Sequence, residues 1–211
     1  MKLIITLILL CLQIITAKEL TLTPKDIQTI NNSPQKSFII KRFQAYERMR
    51  DEVKPYPLMK KLAHVNTFFN RILPVQDETK YSSDDYWATR KEFLINGHGD
   101  CEDYVIAKYF TLSELGIDKK NLYFSVVQVK GKTTYHMVLL YKQKQTFYVL
   151  DNLSFRTLPL SKRVDLKPMV AFNEFESRVL KRNGLGKKAK VNWGKIDKWE
   201  ELLKRVYINN E

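Results

Sequence analysis

The feature that most limits what this chain can fold into is a change of hydrophobic period at Gly116. From Cys101 onward apolar residues recur at helical spacing, at Val105, Ile106, Tyr109, Leu112 and Leu115. Gly116 then stands where a helix stops, since glycine accepts the left-handed conformation of a C-terminal cap. Beyond it lie three runs rich in β-branched and aromatic residues, Leu122–Val129, Thr134–Tyr141 and Thr146–Leu150. Spacers of hairpin length, 130–132 and 142–145, separate them, which predicts antiparallel pairing. One helix packed on an antiparallel sheet is an α+β fold.

The start of that helix carries the chemistry. In Gly97-His98-Gly99-Asp100-Cys101-Glu102-Asp103-Tyr104, glycines flex a turn, Asp100 suits the N-cap and Asp103 the reciprocal capping position. Cys101 therefore falls in the first helical turn. The chain has two cysteines, and Cys11 lies in a segment that reads as a processing signal. Lys2 begins that segment, an apolar run Leu3–Ile15 follows, and Thr16-Ala17 precede Lys18. The run is short for a bilayer span, so residues 1–17 are expected to be removed, with no stable membrane insertion of the remainder. Export to a periplasm is the expected localisation. The mature chain, 18–211, then keeps one thiol and can form no internal disulfide. At 211 residues and 44% hydrophobic composition it has core enough for one domain without one.

A thiol attacks as its thiolate, and a pKa of about 8.5 leaves little of it ionised at neutral pH. A helix N-terminus lowers that pKa, and a neighbouring imidazole lowers it further. His136 sits in the second strand-like run, and Asp151 ends the third. If the two strands are hairpin neighbours, ring and carboxylate lie side by side at their ends. Any one of these residues alone is ordinary packing or turn chemistry. Together, in the order thiol, base, orienting acid, they read as the site of a papain-type hydrolase. The Cys101 N–H is placed to donate to an oxyanion, with Trp87 as a second donor. His98, three residues from Cys101 across the helix start, reads as a cleft-lining group.

Asp100, Glu102 and Asp103 crowd the nucleophile, and negative charge opposes its ionisation. A bound cation would compensate. Closely spaced oxygen ligands suit calcium, with Asp77 and Asp85 from the polar stretch 75–90 as further candidates. Zinc fits poorly, because the three histidines and the thiol show no short ligand spacing. The formal net charge of +13 is spread along the chain without a nucleic-acid-binding motif, and points to acidic protein partners or substrates in place of nucleic acid.

Elsewhere, residues 18–35 read as an irregular arm. Two helical stripes follow, Phe38–Met49 and Leu58–Ile72, the second stopped by Pro74. Past Pro159 the pattern weakens until residues 195–207, where Ile196, Trp199, Leu202, Leu203 and Val206 share a broad helical face expected to cover the core.

Four segments carry a family resemblance: Asp85-Tyr-Trp-Ala-Thr89, Gly99-Asp-Cys-Glu-Asp-Tyr104 with Ala107–Leu112, His136-Met-Val138, and Leu150-Asp-Asn-Leu153. With Val65-Asn-Thr-Phe-Phe-Asn70 they resemble the bacterial transglutaminase-like cysteine proteinases, the group that contains the LapG-type periplasmic proteases. The resemblance covers about residues 38–172, leaving a basic C-terminal helical extension outside it. It implies a papain-like, transglutaminase-like core and a triad of Cys101, His136 and Asp151. It also implies calcium dependence, with Asp100 and Glu102 as ligands and Asp103, Asp77 and Asp85 as lesser candidates. The implied substrate is the N-terminal region of a large surface adhesin, cut after paired alanines so that cells leave a biofilm. The implied partner is an inner-membrane cyclic di-GMP receptor that sequesters the protease. The same acyl-thioester chemistry serves an acyltransferase or deamidase, and the same fold can serve a non-catalytic binding protein. Arg90 departs from the family, which often has proline there.

Overall fold

A helix buried on all sides organises the molecule. The computed structural model describes residues 20–74, 86–191 and 197–207. Within it, helix α1 spans Pro24–Asn32, α2 Lys36–Val53, α3 Leu58–Phe69, α4 Arg90–Asn96, α5 Cys101–Glu114 and α6 Lys198–Tyr207. Every residue of α5 from Asp103 to Ser113 is buried. The helices α3 and α4 pack on it, with α2 behind them, and the sheet meets it through its central strands. A helix in such a place must be apolar around most of its girth. The exceptions, Asp103, Lys108, Thr111 and Ser113, are therefore bound into polar contacts or strained.

The sheet has seven strands: β3 (Leu122–Val129), β4 (Tyr135–Gln143), β5 (Thr146–Asp151), β6 (Ser154–Pro159), β7 (Leu166–Phe172), β8 (Ser177–Lys181) and β9 (Gly184–Lys188), in the spatial order β6-β5-β4-β3-β7-β8-β9. Every pairing in it is antiparallel. Along β3 and β4, Phe124, Met137, Leu139 and Tyr141 face the helices, while Tyr123, Val127, Val138 and Leu140 build a second, smaller apolar cluster on the other face. A separate two-residue parallel ladder joins β1 (Leu73–Pro74) to β2 (His98–Gly99).

The expected helices and the three hairpin strands are present, and the α+β reading holds. The irregular arm is corrected: part of it is α1. Thr23 and Asp26 form a reciprocal capping box there, and Pro24 occupies the first turn, where its missing N–H costs nothing. Helix α4 begins likewise at a Thr89–Glu92 box. Arg90, at the family's frequent proline position, is buried and ion-pairs with Glu114 while donating to the Tyr46 hydroxyl at 2.8 Å. Strands β7 to β9 extend the sheet where the sequence pattern had weakened. Helix α6 covers the core, with Leu202 fully buried and Trp199 edge-on against Phe124 at 4.7 Å. Ile196 and the stretch 75–85 lie outside the described residues, as do residues 1–19 with the expected signal. Among the described residues no helix is long and apolar enough to cross a membrane.

Candidate active site

Two glycines place the start of α5. Gly97 closes α4 in the left-handed conformation, at φ 74°. At Gly99 a Cβ would stand 2.5 Å from Asp103 Oδ2 and 2.6 Å from Phe93, so no side chain fits there. The chain thus enters the helix flush against its own first turn, where Asp100 and Asp103 form a capping box. The Asp103 carboxylate accepts the N–H of Ala88 at 2.8 Å and that of Asp100 at 3.4 Å. These bonds tie the segment before α4 to the cysteine helix.

Cys101 is half-buried, and its Sγ meets two partners. The Met137 N–H donates to it at 3.4 Å, and the thiol donates to Glu102 Oε2 at 2.9 Å. Burial pushes the thiol well above its ordinary value, Glu102 pushes it further, and the Met137 N–H works in the opposite direction. The opposing negative charge expected from sequence is thus present, with Glu102 as its main carrier.

Strand β4 carries both Met137 and His136, and the pairing of β4 with β5 brings His136 to Asp151. The imidazole Nε2 donates to Asp151 Oδ1 at 2.7 Å. Asp151 is fully buried, so each of its oxygens needs partners. Oδ1 also accepts the Leu153 N–H at 2.9 Å, and Oδ2 accepts Arg163 Nη2 at 2.6 Å. Burial acts to raise this carboxyl, but His136, Leu153 and Arg163 bring it down to about 2. Arg163 is itself held by Asp165. The main-chain oxygen of Asp151 accepts Asn70 Nδ2 at 2.7 Å, and Asn70 Oδ1 accepts Nζ of the fully buried Lys108 at 2.7 Å. Burial lowers that ammonium to about 7, against the pull of Asp151.

The acidic residues expected beside the thiol divide into two groups. Asp103 is spent on capping. Asp100 and Glu102 face each other closely enough that burial, and then the charge of Glu102, raise the Asp100 carboxyl to about 7. Asp100 Oδ1 is buried without a hydrogen-bond partner. Asp100 and Glu102 thus set two hard oxygen donors side by side with one buried oxygen unsatisfied, a chemistry that suits a cation. Among the described residues no three His, Cys, Asp or Glu side chains converge on one metal position. Asp77 and Asp85 lie outside the described residues.

A cavity of about 170 Å³ opens beside these groups, lined by Glu102, Val126, Tyr135, His136, Met137, Trp87 and Lys198. Lys198 comes from α6, and Arg205 of α6 donates to the Trp87 carbonyl and to Glu92. The C-terminal extension, which the resemblance left outside the core, thus forms part of the cavity wall. Cys101, His136 and Asp151 are gathered around Met137 and the β4–β5 pair. His98 lies on β2 opposite Leu73. Arg163 and Lys198 were not singled out by sequence reasoning, because nothing local marks them, whereas Lys108 lies in the run Ala107–Leu112 that carries the family resemblance. Asn70 had a signal, as the last residue of a segment that carries the family resemblance.

Residues 42–163 match the family model of the bacterial transglutaminase-like cysteine proteinases. Calcium-bound LapG of Legionella pneumophila superposes with a TM-score of 0.69 at 31% identity, over 88% of this chain and 99% of that one. The EGTA-treated form of the same protein gives 0.69 at 34% identity, over 87% and 97%. No curated protein matches the chain.

Proposed function

Because this chain belongs to the bacterial transglutaminase-like cysteine proteinases and shares the fold of LapG, we propose that it is a calcium-dependent cysteine endopeptidase with Cys101 as its nucleophile. The observation that carries the reading is that β4 brings the Met137 N–H to the Cys101 sulfur and, from the adjacent residue, the His136 imidazole to Asp151.

Asp151 takes Nε2–H of His136, which leaves Nδ1 as the ring nitrogen that exchanges a proton with the thiol. Cys101 attacks the scissile carbonyl, the imidazolium protonates the leaving amine, and the neutral ring then activates water to release the acyl group. The Cys101 N–H and the cavity-lining Trp87 are suited to the oxyanion, and each such donor is typically worth about 3 kcal/mol of barrier. Asp151, fixed by Arg163 and Leu153, orients the ring and balances its charge.

Calcium would be held by Asp100 and Glu102: the unpartnered Asp100 Oδ1 and the charge that Glu102 places against Asp100 both suit a divalent ion. Its chemistry there would be charge neutralisation, offsetting the repulsion between the two carboxylates and the effect of Glu102 on the thiol. A LapG that is solved with calcium bound supports this assignment.

The family resemblance supports a periplasmic setting after removal of residues 1–17. It also supports, as substrate, the N-terminal region of a large surface adhesin whose release disperses biofilm, and an inner-membrane cyclic di-GMP receptor as the sequestering partner. Incubating the purified protein with N-terminal fragments of the cell's exported adhesins, with calcium or with chelator, tests the reading. One calcium-dependent cut is expected, and its sequence fixes the site. Incorporation of a labelled primary amine without cleavage would replace hydrolysis by acyl transfer.

A further inference from the structure

A second, larger depression is lined in part by Gly97, which precedes the cysteine helix. It is about 840 Å³, within the range of ligand-sized clefts, and runs between α2 and α3 over Met49, Phe68 and Ile72. Its walls carry Arg42, Arg48 and Arg71. Among the described residues Glu52 is the one acidic residue lining it, and Glu52 already accepts the Tyr56 hydroxyl at 2.7 Å.

Arg42 is the informative residue. Its Nη1 donates to the Leu94 and Ile95 carbonyls at 2.6 and 3.2 Å, capping the end of α4. Its guanidinium rests on Gly97, where a Cβ would stand only 2.1 Å from Nη2. Among the described residues it pairs with no carboxylate, and neither do Arg48 and Arg71. Burial alone lowers the Arg42 guanidinium, with no counter-charge acting against it. A partly desolvated cation fixed in place, beside two exposed ones and above an apolar floor, is complementary to an anion with an apolar body.

We infer that this groove is a secondary binding site for an acidic stretch of the polypeptide substrate, an inference that rests on the proteolytic reading above. Gly97 lines the groove and stands four residues before Cys101, so the two sites are separated by no more than about 14 Å of extended chain. An extended substrate spans that distance in a few residues. The acidic stretch is thus a near neighbour of the bond to be cut, and its binding helps to place that bond.

The test uses Cys101→Ala protein and a short fluorescein-labelled peptide alternating Glu with Ala, against a control in which Gln replaces Glu. Anisotropy should show the Glu peptide binding at least about tenfold more tightly at low salt, and that advantage should shrink in high sodium chloride. Arg48→Glu/Arg71→Glu should remove it, and Arg48→Gln/Arg71→Gln should reduce it. Circular dichroism checks the fold of each variant. Equal affinity for the two peptides, or equal affinity in wild-type and variant grooves, overturns the inference. In parallel, Cys101-intact protein is offered a polypeptide with acidic residues flanking its cleavage site. Cleavage that is indifferent to the arginines overturns the groove and leaves the protease standing. Peptide binding without cleavage of any substrate overturns the protease and, with it, the assignment of the occupant as substrate.

Discussion

Arg163 Nη2 lies 2.6 Å from Asp151 Oδ2, the carboxylate oxygen that His136 leaves free. The fully buried aspartate is therefore gripped from two sides, and His136 inherits its orientation from that grip. Arg163 reaches across twelve residues of sequence to do this, and Asp165 holds it in turn.

Arg163→Gln should damage both stability and turnover. Removing one partner of a buried ion pair strands the other, at a cost of about 3–5 kcal/mol. A ring displaced by even about 1 Å can cost on the order of 10²-fold in rate. Arg163→Lys should restore much of the stability but less of the rate, because an ammonium cannot bracket Asp151 and Asp165 as a planar fork does. Urea unfolding and single-turnover cleavage, run on both variants, separate the two effects.

Cys101→Ala and His136→Ala should each fold and lose turnover by at least about 10³-fold, the scale seen when a nucleophile or its base is removed. Iodoacetamide distinguishes their roles. In His136→Ala with calcium present the thiol should be alkylated more slowly than in wild type, since the imidazole no longer shares its proton. An unchanged alkylation rate together with unchanged cleavage would remove His136 from the reaction.

The parts of this molecule that sequence made legible are those in which local chemistry and tertiary structure agree. Alternation along Leu122–Leu150 specified three strands and their pairing, and pairing alone was enough to bring His136 to Asp151. The capping residues at Asp100 and Asp103 marked the first turn of α5. Helix α1 was missed because Pro24 and several Asn and Ser residues look like breakers unless Thr23 is recognised as a cap ahead of a first-turn proline. The roles of Arg163 and Lys108 were illegible for a different reason. Each acts through a neighbour distant in sequence, Asp151 and Asn70, and a cation carries no spacing that announces its partner. The opposing charge beside the thiol was legible from the run Asp100 to Asp103, but which carboxylate the folded chain turns onto Sγ, that of Glu102, was not.

Calcium should stabilise the protein as well as activate it. A ligand that binds only the folded state adds about 2.7 kcal/mol at a hundredfold excess over its dissociation constant. Differential scanning fluorimetry should show a rise in Tm with calcium that EGTA reverses and that Asp100→Asn or Glu102→Gln abolishes. The response should also depend on pH. With the Asp100 carboxyl raised to about 7 by burial and by Glu102, protons compete with the cation below that pH. Affinity should then fall by up to about tenfold for each pH unit below neutrality. A calcium response that stays constant from pH 5 to pH 8 would place the ion elsewhere.

Lys108 gives a second pH dependence, above neutrality and read in stability. Its ammonium is lowered from 10.5 to about 7 by burial. Below pH 7 both folded and unfolded chains hold the proton, and the full cost of burying the charge is present. Between pH 7 and 10.5 the unfolded chain keeps a proton that the folded chain has released, so folding becomes more favourable as pH rises. Each pH unit in that window is worth at most about 1.4 kcal/mol. Lys108→Met removes the titrating group while keeping its length, so wild type should gain on this variant between pH 7 and pH 9.5. Tyrosines with raised pKa values act equally in both chains and cancel from the comparison. Cleavage by wild type should not follow the same curve, because a neutral amine still donates to Asn70 Oδ1 and Asn70 still holds the Asp151 main chain. Urea midpoints at the two pH values decide it: a constant gap between the proteins would mean that the Asn70 bond keeps Lys108 charged throughout.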